Sequence, residues 1–163
     1  MTYCIGIKTN EGLVLASDSR TNAGLDNYST HKKMLSYSVG DRCIVLLTSG
    51  NLSTSQFVYK TIREDLEATN PTTSLNTCKN FDEIAHYIGM LSWQRSNTDG
   101  VSVNTNLGSN FILGGQIKGQ ETEMMMIYPV GNYIRTSEIK PFLQLGETKY
   151  GKPILDRLIR NEL

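Results

Sequence analysis

The first eighteen residues constrain this chain more than any other stretch. Tyr3-Cys4-Ile5-Gly6-Ile7-Lys8-Thr9 and Leu13-Val14-Leu15-Ala16-Ser17 are apolar, β-branched runs separated by Asn10-Glu11-Gly12, and such a pair reads as a β-hairpin. A hairpin beginning at residue 2 ties the start of the chain into a sheet, where a terminus is otherwise frayed. Thr2 is thereby held in a fixed place. The antiparallel return of the second strand brings Asp18 to the end of the sheet where Thr2 sits. Taken alone, a second-position threonine is ordinarily a leader residue. Here, once Met1 is removed, Thr2 carries a hydroxyl and a free α-amine within reach of it, a nucleophile and a base on one residue. Lys32-Lys33, entering the alternating run Met34-Leu35-Ser36-Tyr37, adds a candidate cation to pair with Asp18 and shift its pKa.

Composition removes several function classes. The chain has 163 residues and formal net charge zero, with no basic block, so phosphate binding and a nucleic-acid partner are not expected. No apolar run approaches the roughly 18 residues of a membrane span, and the start lacks a basic leader with an apolar signal core. The expected location is the cytoplasm. Cys4, Cys43 and Cys78 are odd in number without a C-x-x-C pair, which argues against a disulfide framework or a zinc knuckle. Cys4 and Cys43 read as small strand-buried hydrophobes. His31 and His86 have no partner at metal-ligand spacing, so no metal site is read from them and surface or supporting roles are the default for both.

Along the chain, residues 19 to 31 are polar and contain Gly24, which predicts a loop beside Thr2. Met34 to Tyr37 and Cys43 to Leu47, joined at Ser38-Val39-Gly40-Asp41, predict a second hairpin whose second strand is buried on both faces. Thr48-Ser49-Gly50-Asn51 are expected to break that strand. Gly50 is then either a turn glycine leading into a helix or a backbone N–H available to an oxyanion. Residues 53 to 68 place Val58, Ile62 and Leu66 on one helical face, with Ser53 or Asn51 as cap. A second helix starts at Asn80, where Glu83 gives a capping-box-like pattern and Phe81, Ile84, Ile88 and Leu91 form a stripe. Asn97 to Ser109 reads as a loop. Strands follow at Asn110 to Leu113, Glu121 to Tyr128 and Tyr133 to Thr136, divided by Gly114-Gly115 and Pro129-Val130-Gly131-Asn132. Met124 to Met126 are strand packing. A last strand, Phe142 to Leu145, precedes a helix opened by Pro153. Runs of strands and helices without strand–helix alternation predict α+β with antiparallel sheets.

These residues resemble the proteasome β-subunits and their bacterial relatives, the N-terminal-nucleophile hydrolases. Thr2 opening a strand, Gly6, Gly12, Asp18-Ser19-Arg20-Thr21, Gly24, Lys33 before an apolar strand, Ser49-Gly50 and Gln56 match in order and spacing. Asp18 to Gly24 with the short Met1-Thr2 start is most similar to the bacterial ancestral-β-subunit (Anbu) proteins. The resemblance implies a four-layer αββα sandwich of two antiparallel sheets, forming a single domain over residues 1–163. It implies a threonine endopeptidase with Thr2, Asp18 and Lys33 catalytic, Gly50 as the oxyanion glycine, and Thr21 and Asn22 lining the substrate channel. It needs no cofactor. Implied partners are a peptide or unfolded-protein substrate, further copies of the chain in a ring or open spiral, and an unidentified ATPase or accessory protein. Two departures stand out: Glu147 follows Gly146 where the family has Ser, and the chain stops at Leu163 in its third helix. The family continues into another helix and two strands carrying an Asp and a Ser. The chain therefore reads as truncated at its C-terminus or as a shortened homologue, expected to be weak or inactive as it stands. The rival expectation is a non-catalytic assembly or scaffold subunit of the same fold. An amidase acting on small molecules would share the chemistry.

Overall fold

A computed structural model describes residues 2–22, 28–30, 32–100 and 107–162. Strands β1 (Tyr3–Thr9) and β2 (Gly12–Ser17) form the expected hairpin, with Thr9 opposite Gly12 and Cys4 opposite Ser17. β3 (Arg20–Asn22) and β4 (Tyr28–Thr30) pair as a two-stranded ribbon, so the stretch read as a plain loop contains paired backbone. Its Thr and Ser content suits a ribbon as well as a turn, and only pairing decides between them.

Five strands make the larger sheet, every neighbour antiparallel and in chain order: β5 (Met34–Val39), β6 (Arg42–Gly50), β7 (Ser109–Ile117), β8 (Glu123–Ile127) and β9 (Tyr133–Arg135). β6 runs through Thr48 and Ser49 to Gly50, where the sequence suggested a break. β7 likewise contains Gly114 and Gly115, read from sequence as a separator. Both extensions follow from the pairing of β6 with β7 over its whole length, Arg42 opposite Ile117 to Gly50 opposite Ser109. Backbone hydrogen bonding outweighs the weak strand preference of glycine there.

Helices α1 (Leu52–Glu67) and α2 (Phe81–Gly100) cover one face of this sheet. Asn51 caps α1, its side chain accepting from the N–H groups of Ser53 and Thr54. Asn80 accepts from the Glu83 N–H, and Glu83 reaches back to the Lys79 N–H, a cap one residue wider than the expected capping box, which returns to the cap residue itself. Helix continues through Asn97 to Gly100, where a loop was expected; residues 101–106 of that expected loop and His31 lie outside the described residues.

The period of two along β6 sorts the core. Ile44 and Leu46 meet Val58, Ile62, Phe81, Ile84 and Ile88 beneath the helices. Leu47, with Ile112 and Met124, meets Cys4, Leu143 and Leu145 on the opposite side. These last residues belong to a three-stranded sheet in which β10 (Phe142–Gly146) and β2 flank β1. Each such buried aliphatic side chain contributes about 1.5–3 kcal/mol of transfer free energy. The two sheets approach closely at Gly6, where a Cβ would stand 2.4 Å from the Met124 sulfur. Helix α3 (Gly151–Glu162) begins against the outer side of β1, Gly151 resting on the Tyr3 ring. It starts two residues before Pro153, the Lys152 N–H donating to Thr148 O. The layers are therefore helix, sheet, sheet, helix, as expected. Cys4 is buried, but Cys43 is exposed. Cys43 is two positions along β6 from Val45 and four from Leu47, on the same strand face, beyond the part of that face packed against the smaller sheet.

Candidate active site

Thr2 lies at the start of the central strand of the smaller sheet. The Tyr3 N–H donates to Asp18 Oδ1 at 3.0 Å, and the Asp18 N–H returns a bond to Tyr3 O at 3.0 Å. Asp18 is thus locked to the residue next to Thr2 by both its backbone and its side chain. Lys33, at the entry to β5, reaches across with Nζ 2.9 Å from Asp18 Oδ1 and 3.0 Å from Oδ2. The lysine is only 6% exposed and the aspartate 35%. Burial opposes ionisation of Asp18, yet the Tyr3 N–H and the Lys33 ammonium together hold its carboxyl below the ordinary 3.8. A charged pair bonded this fully is a fixed electrostatic feature of the site.

The second wall is the end of β6. Its Thr48 N–H donates to Lys33 O at 2.9 Å, and the Asn51 N–H donates to Gly108 O at 3.1 Å on the opposite edge. Backbone N–H groups alternate between the two edges of an antiparallel strand. The Gly50 N–H therefore faces the Lys33 side, beyond the first residue of β5. Gly50 has φ +123°, and a Cβ there would stand 2.5 Å from Gly108 O. Thr2, Lys32, Lys33, Gly50, Leu52 and Gln56 are among the residues lining the cleft between these walls.

The third contact closes on Thr2 from the far end of the chain. The Glu147 N–H donates to Thr2 O at 2.8 Å. Gly146 has φ +84°, and a Cβ there would fall 1.8 Å from Thr2 O, so only glycine fits that approach. The resemblance marked position 147 for its lost hydroxyl; the backbone clamp at Gly146 and Glu147 had no local sequence signal. A second cavity of about 460 Å³ opens on this side of Thr2, lined by Tyr3, Asp18, Glu147, Tyr150 and Ile154.

Of the expected residues, Asp18 and Lys33 are in contact, and Thr2 and Gly50 line the same cleft with Lys33. Thr21 and Asn22 lie on β3 opposite Ser29 and Tyr28, and their side chains fall outside the described residues. Sequence reasoning missed Thr48, Ser55 and Tyr59, which also line the cleft. Ser55 is in the first helical turn after Asn51, where a serine reads as ordinary capping chemistry. Cys4 sits nearby, its Sγ 3.4 Å from Thr48 O, and burial with the Asp18 charge pushes its thiol up to about 12, which keeps it un-ionised and unreactive. Among the described residues, no three His, Cys, Asp or Glu side chains are grouped to hold a metal ion. Among the described residues, no helix is long and apolar enough to cross a membrane. A larger cavity of about 640 Å³ lies elsewhere, between α2, the α1–α2 connection and β9, with Asp82, Glu83, His86 and Tyr133 in its wall.

The comparisons with known proteins agree with this arrangement. The family model for proteasome subunits matches residues 2–163. Anbu from Yersinia bercovieri is 37% identical with a TM-score of 0.87, covering 96% of this chain. The helical assembly of the Anbu complex from Pseudomonas aeruginosa is 40% identical over 95% of this chain, with a TM-score of 0.84. Anbu from Hyphomicrobium sp. strain MC1 is 40% identical over 95% of this chain, with a TM-score of 0.83. This chain spans 65% of the length of each of these three. No curated protein sequence matches it. A central strand opened by threonine, an Asp–Lys pair beside it, two antiparallel sheets between helices and a match along the whole chain lead to one assignment: the chain belongs to the proteasome subunit family and is similar to its ancestral-β-subunit proteins.

Proposed function

We propose that this protein is a threonine-type peptidase whose nucleophile is Thr2, freed by removal of Met1. The observation that carries this reading is the buried Lys33 ammonium, held by both oxygens of an Asp18 that is itself bonded to the Tyr3 N–H. Thr2 Oγ1 attacks the scissile carbonyl while the Thr2 α-amine takes the hydroxyl proton. An unperturbed α-amine titrates near 7.7–8.0, and a neighbouring ammonium favours its neutral, basic form. The Gly50 N–H supports the developing oxyanion. The C–N bond then breaks, the departing amine takes the proton from the Thr2 ammonium, and an ester remains on Thr2 Oγ1. Water, deprotonated by the same amine, attacks that ester and returns the hydroxyl. Asp18 fixes the lysine, and residues 1–163 act as one domain. Thr21 and Asn22 lie on the segment that follows Asp18 and would contact the bound peptide. The protein works in the cytoplasm on peptides or unfolded chains.

Self-association is part of the proposal. The Pseudomonas aeruginosa relative forms a helical assembly, and β10 has one edge without a strand partner among the described residues, which is a surface available for pairing. Light scattering across a wide concentration range should detect species larger than a monomer; a monomer throughout would remove this part.

The test of the chemistry is peptide hydrolysis by a longer, Met1-processed protein, its processing checked by intact mass; the chain as it stands is expected to be weak or inactive. The parent should hydrolyse, Thr2→Ser should retain part of the rate, and Thr2→Ala should be inactive. Equal rates for parent and Thr2→Ala would overturn the reading. One observation favours a second reading, that of a scaffold subunit: Glu147 occupies the position where the resembled family carries a supporting serine hydroxyl. In that case a threonine-directed electrophile leaves Thr2 unlabelled.

A further inference from the structure

A chain of buried hydroxyls running inward from the cleft wall has no part in the mechanism just given. Thr48 Oγ1 and Ser55 Oγ are 2.7 Å apart, and Ser55 Oγ and Ser109 Oγ are 3.3 Å apart. Ser55 Oγ donates to Asn51 O at 3.1 Å, and Ser109 Oγ donates to the same carbonyl at 2.8 Å. Thr48 Oγ1 also donates to Asn110 O at 3.5 Å, and either hydroxyl of the Thr48–Ser55 contact can donate. Ser55 and Ser109 are 2% and 0% exposed, and Thr48 is 6% exposed. Hydroxyls so deeply buried are as a rule bonded. A helix N-cap carbonyl ordinarily accepts one bond, from the backbone N–H four residues on. Asn51 O accepts that bond from Ser55 N at 3.1 Å and both serine hydroxyls as well.

We infer that Ser55 and Ser109 are positioning residues that aim the Gly50 N–H into the cleft, an inference that rests on the threonine-peptidase reading. Four peptide groups surround the Ser49–Gly50 peptide along the chain, and each is pinned. The Thr48 N–H is held by Lys33 O, and Thr48 O is met by Cys4 Sγ. The Asn51 N–H is held by Gly108 O, and Asn51 O by the two serines. Between them lies the peptide that carries the Gly50 N–H, at a glycine whose φ of +123° is open to a residue without Cβ. An oxyanion donor contributes in proportion to its pre-set direction, because nothing then has to reorganise as charge develops. The serine pair supplies that fixity through Asn51 O, with Ser55 itself in the cleft wall. Thr48 completes the chain and, through Lys33 O, links it to the strand that carries the lysine.

The test compares the parent with Ser55→Ala/Ser109→Ala and with Ser109→Ala alone, the single variant serving if the double one does not fold by circular dichroism. A peptide boronate, which forms a tetrahedral adduct on a nucleophilic hydroxyl, is the second probe. The expected result is a kcat lowered about 10- to 100-fold in the double variant, less in the single. KM should stay within about twofold, and boronate affinity should fall in step with kcat/KM. Ser109→Thr, which keeps the hydroxyl on a strand position suited to β-branching, should recover most of the loss. A raised KM at unchanged kcat, a kcat loss without loss of boronate affinity, or no recovery in Ser109→Thr would each overturn the inference while leaving the nucleophile assignment intact. If parent and Thr2→Ala hydrolyse equally, the peptidase reading fails and takes this inference with it.

Discussion

The carboxylate–cation pairs Asp82–Arg135 and Asp18–Lys33 each flank a cavity, and they differ in kind. Asp82 accepts from Arg135 and from the Tyr133 hydroxyl beside the larger cavity, with aspartate and arginine close to half exposed. Asp18 accepts from a lysine that is almost fully buried and from a backbone N–H one residue from the start of the described chain. Water screens the first pair and leaves it worth little. The second is kept at a set distance and in a lower dielectric, where a charge acts strongly on its neighbours. Cavity size alone would point to the first pair. What distinguishes the Thr2 site is a buried charge with its hydrogen bonds satisfied, next to a residue that can be a nucleophile.

Substitutions sharpen that contrast. Lys33→Ala should lower peptide hydrolysis by about 10²- to 10³-fold, nearly as far as Thr2→Ala, because a fixed positive charge is removed from beside the reacting groups. Lys33→Arg keeps the charge but misplaces it, and no recovery of rate is expected. A Lys33→Ala protein with the parent's kcat would erase the difference between the two pairs. Gly146→Ala forces a side chain onto Thr2 O at a positive φ and should cost about 2 kcal/mol or more, read as a lowered midpoint in urea. An unchanged midpoint would mean that the clamp on Thr2 yields easily.

Acid distinguishes the pairs more gently. The Asp18 carboxyl titrates below its ordinary value in the folded protein, so the unfolded chain binds more protons between the two values. Stability from this group is fully present above about pH 4 and is lost as pH falls through the folded value. With a third of Asp18 exposed, solvent screening keeps the amount small. Asp18→Asn should flatten that part of the urea-midpoint profile below pH 4, and a profile identical to the parent's would count against the coupling. Arg135→Ala should move stability by no more than about 0.5 kcal/mol and leave hydrolysis alone. A tenfold loss of rate in Arg135→Ala would put function at the larger cavity.

Much of this was legible before any fold was built. The first hairpin, the alternation along β6 and the stripes of α1 and α2 are local patterns, set by side-chain period and turn chemistry within a few residues. Asp18 and Lys33 were legible for the same reason, since each sits at the end of a strand whose direction its own neighbours declare. Gly114 and Gly115 were misread as a break because their strand character comes from β6. There Gly115 lies so close to the Cys43 carbonyl that a Cβ would stand 2.1 Å from it. Cys43 looked buried because its strand is apolar, but burial depends on how far the other sheet extends over it.

The sequence by itself determined the order and type of the main elements, the family resemblance and three chemical groups of the candidate site: a hydroxyl, a carboxylate and an ammonium. Those follow from interactions between near neighbours in the chain. The tertiary structure alone decided that Gly146 and Glu147 grip the carbonyl of Thr2, and that Ser55 and Ser109 meet on one carbonyl behind Gly50. Each of these contacts joins segments brought together by sheet pairing or by packing of the two sheets. A glycine or a serine looks the same in sequence whether or not a distant backbone will press against it, so its role exists only once the sheets have closed.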